Sequence, residues 1–501
     1  MPASLRDILK EIYFIMLNFT LLFSHLLLAS PLISQQFDDP SLITSSVSFV
    51  RSVHTADING DGNIDVLSGS NAKLAWYENL GNGSFGQQQV IASPASNPRD
   101  IISLDLNGDG DLDLVVASYG TSGGVHWYEN LGGGSFGAAT AIGAFADGAT
   151  GACAGDLDGD GDLDILSSST SYASLAQEVA WFENLGGGTF GAKQLILSHA
   201  LVQESYSVLA SDFDGDGDLD VFVPSIMSWF ENSGSGVFGV PQLINSSASE
   251  AEAAYISDLN GDGHDDLLLS HTLSTPTNFI AWHAGDGTGS FGAENVLLNM
   301  GMGVSHSVLA VDLDNDGDLE VIVTGDRLSD SVYWLENLGN SNFGQVLQIV
   351  TNTLERPWRV TAADFDNDGD QDLLTGGAGT GPPVFITSMF WHENLLGEPR
   401  LSAENFVAGT TATIKGRGFA PGGPVRYGYS FAGPGPTSTP LGTVLLSAPM
   451  KQLPAVTSDP HGHWEFSATI PPSVSSGTAI WLHAYDFVNG VFSNGVAEVI
   501  L

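Results

Sequence analysis

Residues 156–164 read DLDGDGDLD. Carboxylates stand at positions 1, 3, 5, 7 and 9, and glycine stands at position 6. Alternating acids wrapped by a tight turn supply the oxygens that a hard cation takes, so the stretch reads as a calcium loop. The plan recurs six more times: DINGDGNID at 57–65, DLNGDGDLD at 105–113, DFDGDGDLD at 212–220, DLNGDGHDD at 258–266, DLDNDGDLE at 312–320 and DFDNDGDQD at 364–372. Start-to-start spacings run from 46 to 56 residues. A period of about fifty marks a propeller or solenoid, in which each repeat is one supersecondary unit.

Side-chain oxygens are expected from positions 1, 3, 5 and 9, and a backbone carbonyl from position 7. The third loop offers Asp156, Asp158, Asp160 and Asp164 with Asp162, and the fourth Asp212, Asp214, Asp216 and Asp220 with Asp218. The sixth offers Asp312, Asp314, Asp316 and Glu320 with Asp318, and the seventh Asp364, Asp366, Asp368 and Asp372 with Asp370. Three loops carry asparagine at position 3. The first is Asp57, Asn59, Asp61 and Asp65 with Asn63; the second is Asp105, Asn107, Asp109 and Asp113 with Asp111. The fifth is Asp258, Asn260, Asp262 and Asp266 with His264, whose imidazole has no oxygen to give, which suits a backbone ligand there. About seven calcium ions are therefore expected, one per loop. An EF-hand would need a glutamate at position 12 and flanking helices. Position 12 is instead Ser68, Val116, Ser167, Val223, Leu269, Val323 or Thr375, each in an apolar stretch.

The rest of the unit repeats as well. Short apolar stretches flank each loop, then an aromatic segment follows, WYEN at Trp76 and Trp127 and WFEN at Trp181 and Trp229. It continues as WHAG at Trp282, WLEN at Trp334 and WHEN at Trp391. A Gly-rich turn, a Phe-Gly pair and a fourth apolar stretch close the unit. Four short strands joined by Gly- and Asp-rich turns make one propeller blade. A tryptophan present in every blade is expected to pack blade against blade rather than to stack on sugar. The seventh unit lacks its Phe-Gly pair and fourth strand, and residues 36–44 (QFDDPSLIT) supply the missing piece at the other end of the chain. The expected fold is all-β, a seven-bladed β-propeller closed by an N-terminal strand.

These loops, the DLVV-like strand after them and the Phe-Gly pairs resemble FG-GAP/VCBS repeats, found in integrin α-chain propellers, some propeller lectins and many exported bacterial proteins. The resemblance spans residues 35–397 and implies a calcium-binding seven-bladed fold. It leaves function open, because adhesins, lectins and a few lyases share it. Glu320 departs from the pattern at position 9, so the sixth site is expected to be distorted.

Charge and composition bound the partners. The formal net charge is −44 and the pI about 4.1, so nucleic acid and anionic membranes are poor partners. Yet 43% of residues are hydrophobic, enough for a folded core. Cys153 is the lone cysteine, so no intrachain disulfide exists. Residues 12–29 are mostly apolar behind Arg6 and Lys10, which reads as a signal peptide over 1–34, against the alternative of an uncleaved anchor. The mature chain is then expected to be secreted or cell-surface, without membrane insertion. The propeller covers 35–397, and 398–501 read as a small Ig-like β-sandwich. Its His461 and His463 flank one glycine, a pattern better suited to a turn than to a metal.

No HExxH is present, and the Gly-Thr-Ser-Gly-Gly run at 120–124 lies between strands, not on a nucleophile elbow. Binding of a glycan or extracellular protein is the expected role. The alternatives are a calcium-dependent polysaccharide lyase or hydrolase, or a purely structural envelope or matrix protein. In an up-and-down blade the calcium loops share one face of the disc. Arg51, Arg99, Arg356 and Arg359 fall at the start of inner strands, and Lys73 and Arg327 in turns on the same opposite face. Trp358 stands among them and is expected to be exposed, ready to stack on a sugar ring beside a carboxylate-gripping arginine. Replacing Trp358 or Arg359 should then weaken ligand binding and leave the melting temperature alone.

Overall fold

The computed structural model describes most of residues 37–394 and the strands between 400 and 499. The segment expected to be a signal peptide lies outside the described residues, as do Arg327, Thr121, Ser122, His461 and His463. Residues 37–394 form one compact unit and those after 394 belong to another. The larger unit is a ring of seven four-stranded antiparallel sheets. The first blade runs Val50–Ala56, Asp65–Ser70, Lys73–Tyr77 and Gln89–Ala92, from innermost to outermost. Among the described residues there is no α-helix, only a 3-10 turn at Pro224–Ile226.

Position in the blade explains the composition of each strand. The second strand is packed on both faces by neighbouring blades, so Asp113–Ser118, Glu320–Gly325 and Asp372–Gly377 are buried along their whole length. Such strands read as unbroken apolar runs rather than alternating ones. The fourth strand borders solvent, and Val90, Leu195 and Val296 are exposed there.

The repeated tryptophans pack one blade onto the next. The ring of Trp76 lies over Gly134 of the following blade, so near that a Cβ there would meet it at 2.4 Å. Trp127 covers Gly188, Trp181 covers Gly236, Trp229 covers Gly289, and Trp391 covers Gly83 across the ring closure. Trp76 joins Ile58, Leu114, Val116 and Tyr128 in a core that spans the first two blades. Gly134 has φ +73°, so both the space and the backbone conformation require glycine.

The N-terminal strand closes the ring. Ser41–Val47 pairs antiparallel with Thr387–His392, placing Ser41 opposite Trp391 and Leu42 opposite Phe390. Phe37 bridges Asn394 just as Phe85 bridges Asn79 in the first blade. The closing strand runs on to Val47 rather than stopping at Thr44, with irregular register on both sides of Thr44. Val47 packs with Val50, Met389 and Trp391, which explains the longer strand.

In the second unit, Arg400–Glu404, Thr411–Arg417 and Trp464–Thr469 form one sheet. Pro424–Ser430 pairs with Ala479–Asp486, Met450–Gln452 and Val456–Thr457 in another, extended by Val496–Val499.

Candidate metal loops and the opposite channel mouth

Each loop is shaped by its own acids. Oδ1 of Asp57 accepts the N–H groups of Gly60 (2.8 Å) and Asp61 (3.1 Å), and Oδ2 accepts that of Gly62 (2.9 Å). Asp61 Oδ1 accepts the Asn63 N–H at 2.8 Å. The same bonds recur at Asp105, Asp156, Asp212 and Asp258. Position 4 is left-handed in every loop, held by glycine in five and by Asn315 (φ +57°) and Asn367 (φ +60°) in the others. Asparagine tolerates that conformation better than other side chains.

This folding gathers carboxylates. Oxygens of Asp156, Asp158 and Asp164 lie within 4.8 Å of one another, as do those of Asp212, Asp214 and Asp220, and of Asp364, Asp366 and Asp372. In the sixth loop the gathered set is Asp312, Asp314 and Asp316, leaving out Glu320. Glu320 is one methylene longer, and its Oε2 accepts the Leu313 N–H at 2.6 Å while its Oε1 is buried without a hydrogen-bond partner. The first, second and fifth loops place Asn59, Asn107 and Asn260 where these have aspartate. Burial and crowding push the acids up, Asp164 to about 6, Asp220 and Asp372 to about 7, and Glu320 and Asp370 to about 8. Oδ1 of Asp312, Oδ1 of Asp314 and both oxygens of Asp370 are buried without a hydrogen-bond partner. Clustered, desolvated oxygens of this kind fit a cation. Several of the loops can therefore hold a metal ion.

Position 9 has a second task that the sequence did not reveal. Asp65 is fully buried; its Oδ2 accepts the Ile58 N–H at 3.0 Å and its Oδ1 the Asn79 N–H at 2.7 Å. It bolts the loop to the third strand of its own blade. Asp164, Asp220 and Asp372 make the same pair of bonds.

The asparagine of each W-x-E-N segment then ties that blade to its neighbour. Asn130 donates through Nδ2 to Leu112 O (3.1 Å) in its own loop and to Ile58 O (2.9 Å) in the preceding blade's loop. Asn79, Asn184, Asn232, Asn337 and Asn394 reach Phe365, Leu106, Leu157, Leu259 and Leu313 in the same way. Gly285 breaks the series, and the Gly289 N–H reaches Phe213 O at 2.8 Å in its place. The metal loops and the seams between blades are thus one hydrogen-bonded system. Asn130→Ala leaves two buried carbonyls short of a donor and should cost about 2–4 kcal/mol. A thermal melt of the variant in calcium checks this; an unchanged midpoint would show that the seam bonds carry no weight.

The inner strands end in the loops, so their starts form the other mouth of the channel. Arg51 is second in Val50–Ala56, Arg99 second in Pro98–Leu104 and Arg359 third in Pro357–Ala363. Arg359 Nε donates to Arg51 O (3.1 Å) and Nη1 to His306 O (2.8 Å), joining three blades. The Arg51 guanidinium lies 4.3 Å from the Trp358 ring centroid, and the His306 ring lies 4.6 Å from it. His306 Nδ1 is hydrogen-bonded to Glu252 Oε1. The Arg99 guanidinium lies 4.8 Å from the Tyr119 ring centroid. Arg51, Arg99, His306, Trp358 and Arg359 line one small pocket.

Two expectations are corrected here. Trp358 is half-buried against Arg51 and His306 rather than an exposed stacking platform. Arg359 is built into the fold, so its removal strips two interblade hydrogen bonds and lowers stability as well. Arg356 stands at the turn just before this strand, with φ +56°, and is not among the pocket's lining residues. Lys73 bonds Gln88 Oε1 at 3.3 Å. His306 was missed by the sequence reading, although it stands six residues before its loop, the same repeat position as Arg51, Arg99 and Trp358.

A ring of seven four-stranded blades with an acidic loop at the end of each inner strand defines a loop-decorated β-propeller. The FG-GAP-like repeat matches residues 57–116, 105–167, 171–223, 258–323 and 312–375, more than half of the chain, and the chain belongs to that family. No curated protein matches it. Among solved structures it is similar to the BP39L lectin of Burkholderia pseudomallei, at 17% identity over 66% of this chain and 94% of that one, TM-score 0.49. An Agrocybe aegerita lectin that recognises non-reducing terminal N-acetylglucosamine gives 22% identity over 61% and 81%, TM-score 0.44. The V. cholerae biofilm matrix protein Bap1 gives 12% over 70% and 88%, TM-score 0.40. At these scores the likenesses say nothing about function.

Proposed function

We propose that this chain is an exported propeller, loaded with calcium at seven loops, that binds a glycan or an extracellular protein. The observation that carries this is the division of the disc. One face holds acidic loops with clustered oxygens, and the opposite channel mouth holds a basic pocket in a chain with only 14 lysines and arginines. Calcium is the favoured ion because the loops offer hard oxygen donors and neither thiolates nor, save His264, imidazoles. The catalytic alternative called for an uncommitted base beside a tyrosine or histidine, whereas His306 is bonded to Glu252 and Arg359 to two carbonyls.

Residues 1–34 act as the signal peptide in this account, and the chain works outside the cell. The C-terminal strands form a β-sandwich; the rings of Tyr427 and Phe466, from different sheets, lie 5.3 Å apart, which supports face-to-face packing. A glycan and matrix-protein array, run in calcium and in chelator, tests the binding role. Retention of a defined glycan or protein only in calcium is the expected outcome. Failure to retain any array member in calcium would contradict it.

A further inference from the structure

The fifth blade departs from its repeat at three places, and the fold brings the three together. His271 ends the strand Asp266–His271, where the other blades have serine or glycine. His283 follows the repeated Trp282, where the others have tyrosine, phenylalanine or leucine, save His392 in the seventh. Glu294 stands three residues after Phe291, a position at which no other blade has an acid. In the antiparallel register His271 faces Phe279, Leu269 faces Ala281 and Leu267 faces His283, so alternation puts both histidines on one face of the blade. Leu267 and Leu269 on that face pack with Phe222 and Met227, which places it in the seam with the fourth blade. Trp282 faces Asn295, which sets Glu294 beside His283. The same two positions of the first blade, Tyr77 and Gln88, are hydrogen-bonded at 2.6 Å. Glu294 Oε1 lies 4.0 Å from His271 Nε2.

Both imidazoles are held in the same way. His271 Nδ1 is hydrogen-bonded to Glu250 O at 2.8 Å and His283 Nδ1 to Gly292 O at 3.1 Å. A carbonyl only accepts, so each Nδ1 carries the proton and each Nε2 presents a lone pair. Both Nε2 atoms are buried without a hydrogen-bond partner, in residues that are 1% and 0% exposed. Burial also lowers the pKa of His271, which favours the neutral ring. His392 shows a structural use of the same position, its Nε2 meeting Thr375 Oγ1 at 2.7 Å. Leu269 stands at the place of Thr375 and offers His283 no polar atom.

We propose that His271, His283 and Glu294 form a site for one divalent transition-metal ion of the zinc class. A ring whose N–H is anchored on a carbonyl while its other nitrogen stands bare is the form in which histidine binds metal. Two imidazole nitrogens and one carboxylate suit zinc and its neighbours, whereas calcium takes about six to eight oxygens. The 4.0 Å between His271 and Glu294 is spanned by two metal–ligand bonds of about 2.0–2.1 Å each. Three protein ligands leave the fourth corner of a tetrahedron for water. The Glu294 side chain is 13% exposed against 0% for His271, so the ion enters past the carboxylate. The site is separate from the acidic loops and does not rest on the glycan- or protein-binding role.

The test is a calorimetric titration of zinc into the full-length mature protein in millimolar calcium, which keeps the acidic loops supplied with their own ion. One zinc per chain should bind at a site that magnesium does not contest. Cobalt in place of zinc should give the visible absorption of a four-coordinate nitrogen and oxygen site. His271→Ser, His283→Phe and Glu294→Gln each borrow the residue of another blade, Ser70, Phe182 and Gln88, so the blade can keep its fold. Losing either histidine should weaken zinc binding at least about 100-fold, since even an outer partner of a metal ligand is worth about 10–100-fold. Glu294→Gln should weaken it about 10-fold or more. Calcium content and melting temperature, measured on each variant, show that it is folded, and the folded variants decide. The proposal falls if the parent takes up no more zinc than the double variant His271→Ser, His283→Phe, or if magnesium competes equally. It falls too if folded variants bind zinc like the parent, which would make the histidines core residues bridged by buried water.

Discussion

Chelating calcium should lower the melting temperature by at least about 10 °C. A site held at about 100 times its dissociation constant adds roughly 2.7 kcal/mol to the folded state. For a chain of this size each kcal/mol moves the midpoint by about 2–4 °C or somewhat less, and several sites contribute. The loops are joined to the blade seams through Asp65, Asn79 and their counterparts, so emptying them loosens the ring as well as the face. A carboxyl whose folded-state pKa is raised binds more protons folded than unfolded. Its stabilising effect is full below the unfolded value near 3.8 and is lost as pH rises through about 6 for Asp164 and about 7 for Asp220 and Asp372. In chelator the melting temperature should therefore fall as pH goes from about 5 to 8. In calcium that trend should flatten or reverse, because the metal takes over the deprotonated oxygens and protons compete with it. Melts across this range, with and without chelator, check both parts. Superimposable curves would contradict them.

A chain starting at Ser46 should aggregate or melt early. It lacks Phe37 and most of the strand Ser41–Val47, so the edge at Thr387–His392 stands open. An open edge is a template for pairing with another chain. Losing the buried Phe37 side chain alone removes about 1.5–3 kcal/mol. Light scattering and a thermal melt against the full mature chain measure the effect. A shortened chain as soluble and as stable as its parent would show that the ring closes without this strand.

Much of this architecture was legible in the sequence because it repeats. A nine-residue loop fixes its own shape through local bonds such as Asp57 to Gly60, so its meaning needs no distant partner. The closing strand was visible because the seventh unit lacks what the N-terminus offers. What escaped depends on neighbours far along the chain. Asn130 is plain as a repeat position, but its acceptor Ile58 lies 72 residues away and appears only when blades stand side by side. The double role of Asp65 is hidden for the same reason, since a ligand aspartate and a bolting aspartate are the same letter. Trp358 looked exposed because its cover, His306 and Arg51, comes from two other blades.

The central claim is one calcium ion for each acidic loop. Equilibrium dialysis of the mature protein against millimolar calcium, followed by elemental analysis, counts them directly. About seven ions per chain are expected, with the sixth site, where Glu320 replaces aspartate, differing from the rest. Two or fewer ions per chain would contradict it.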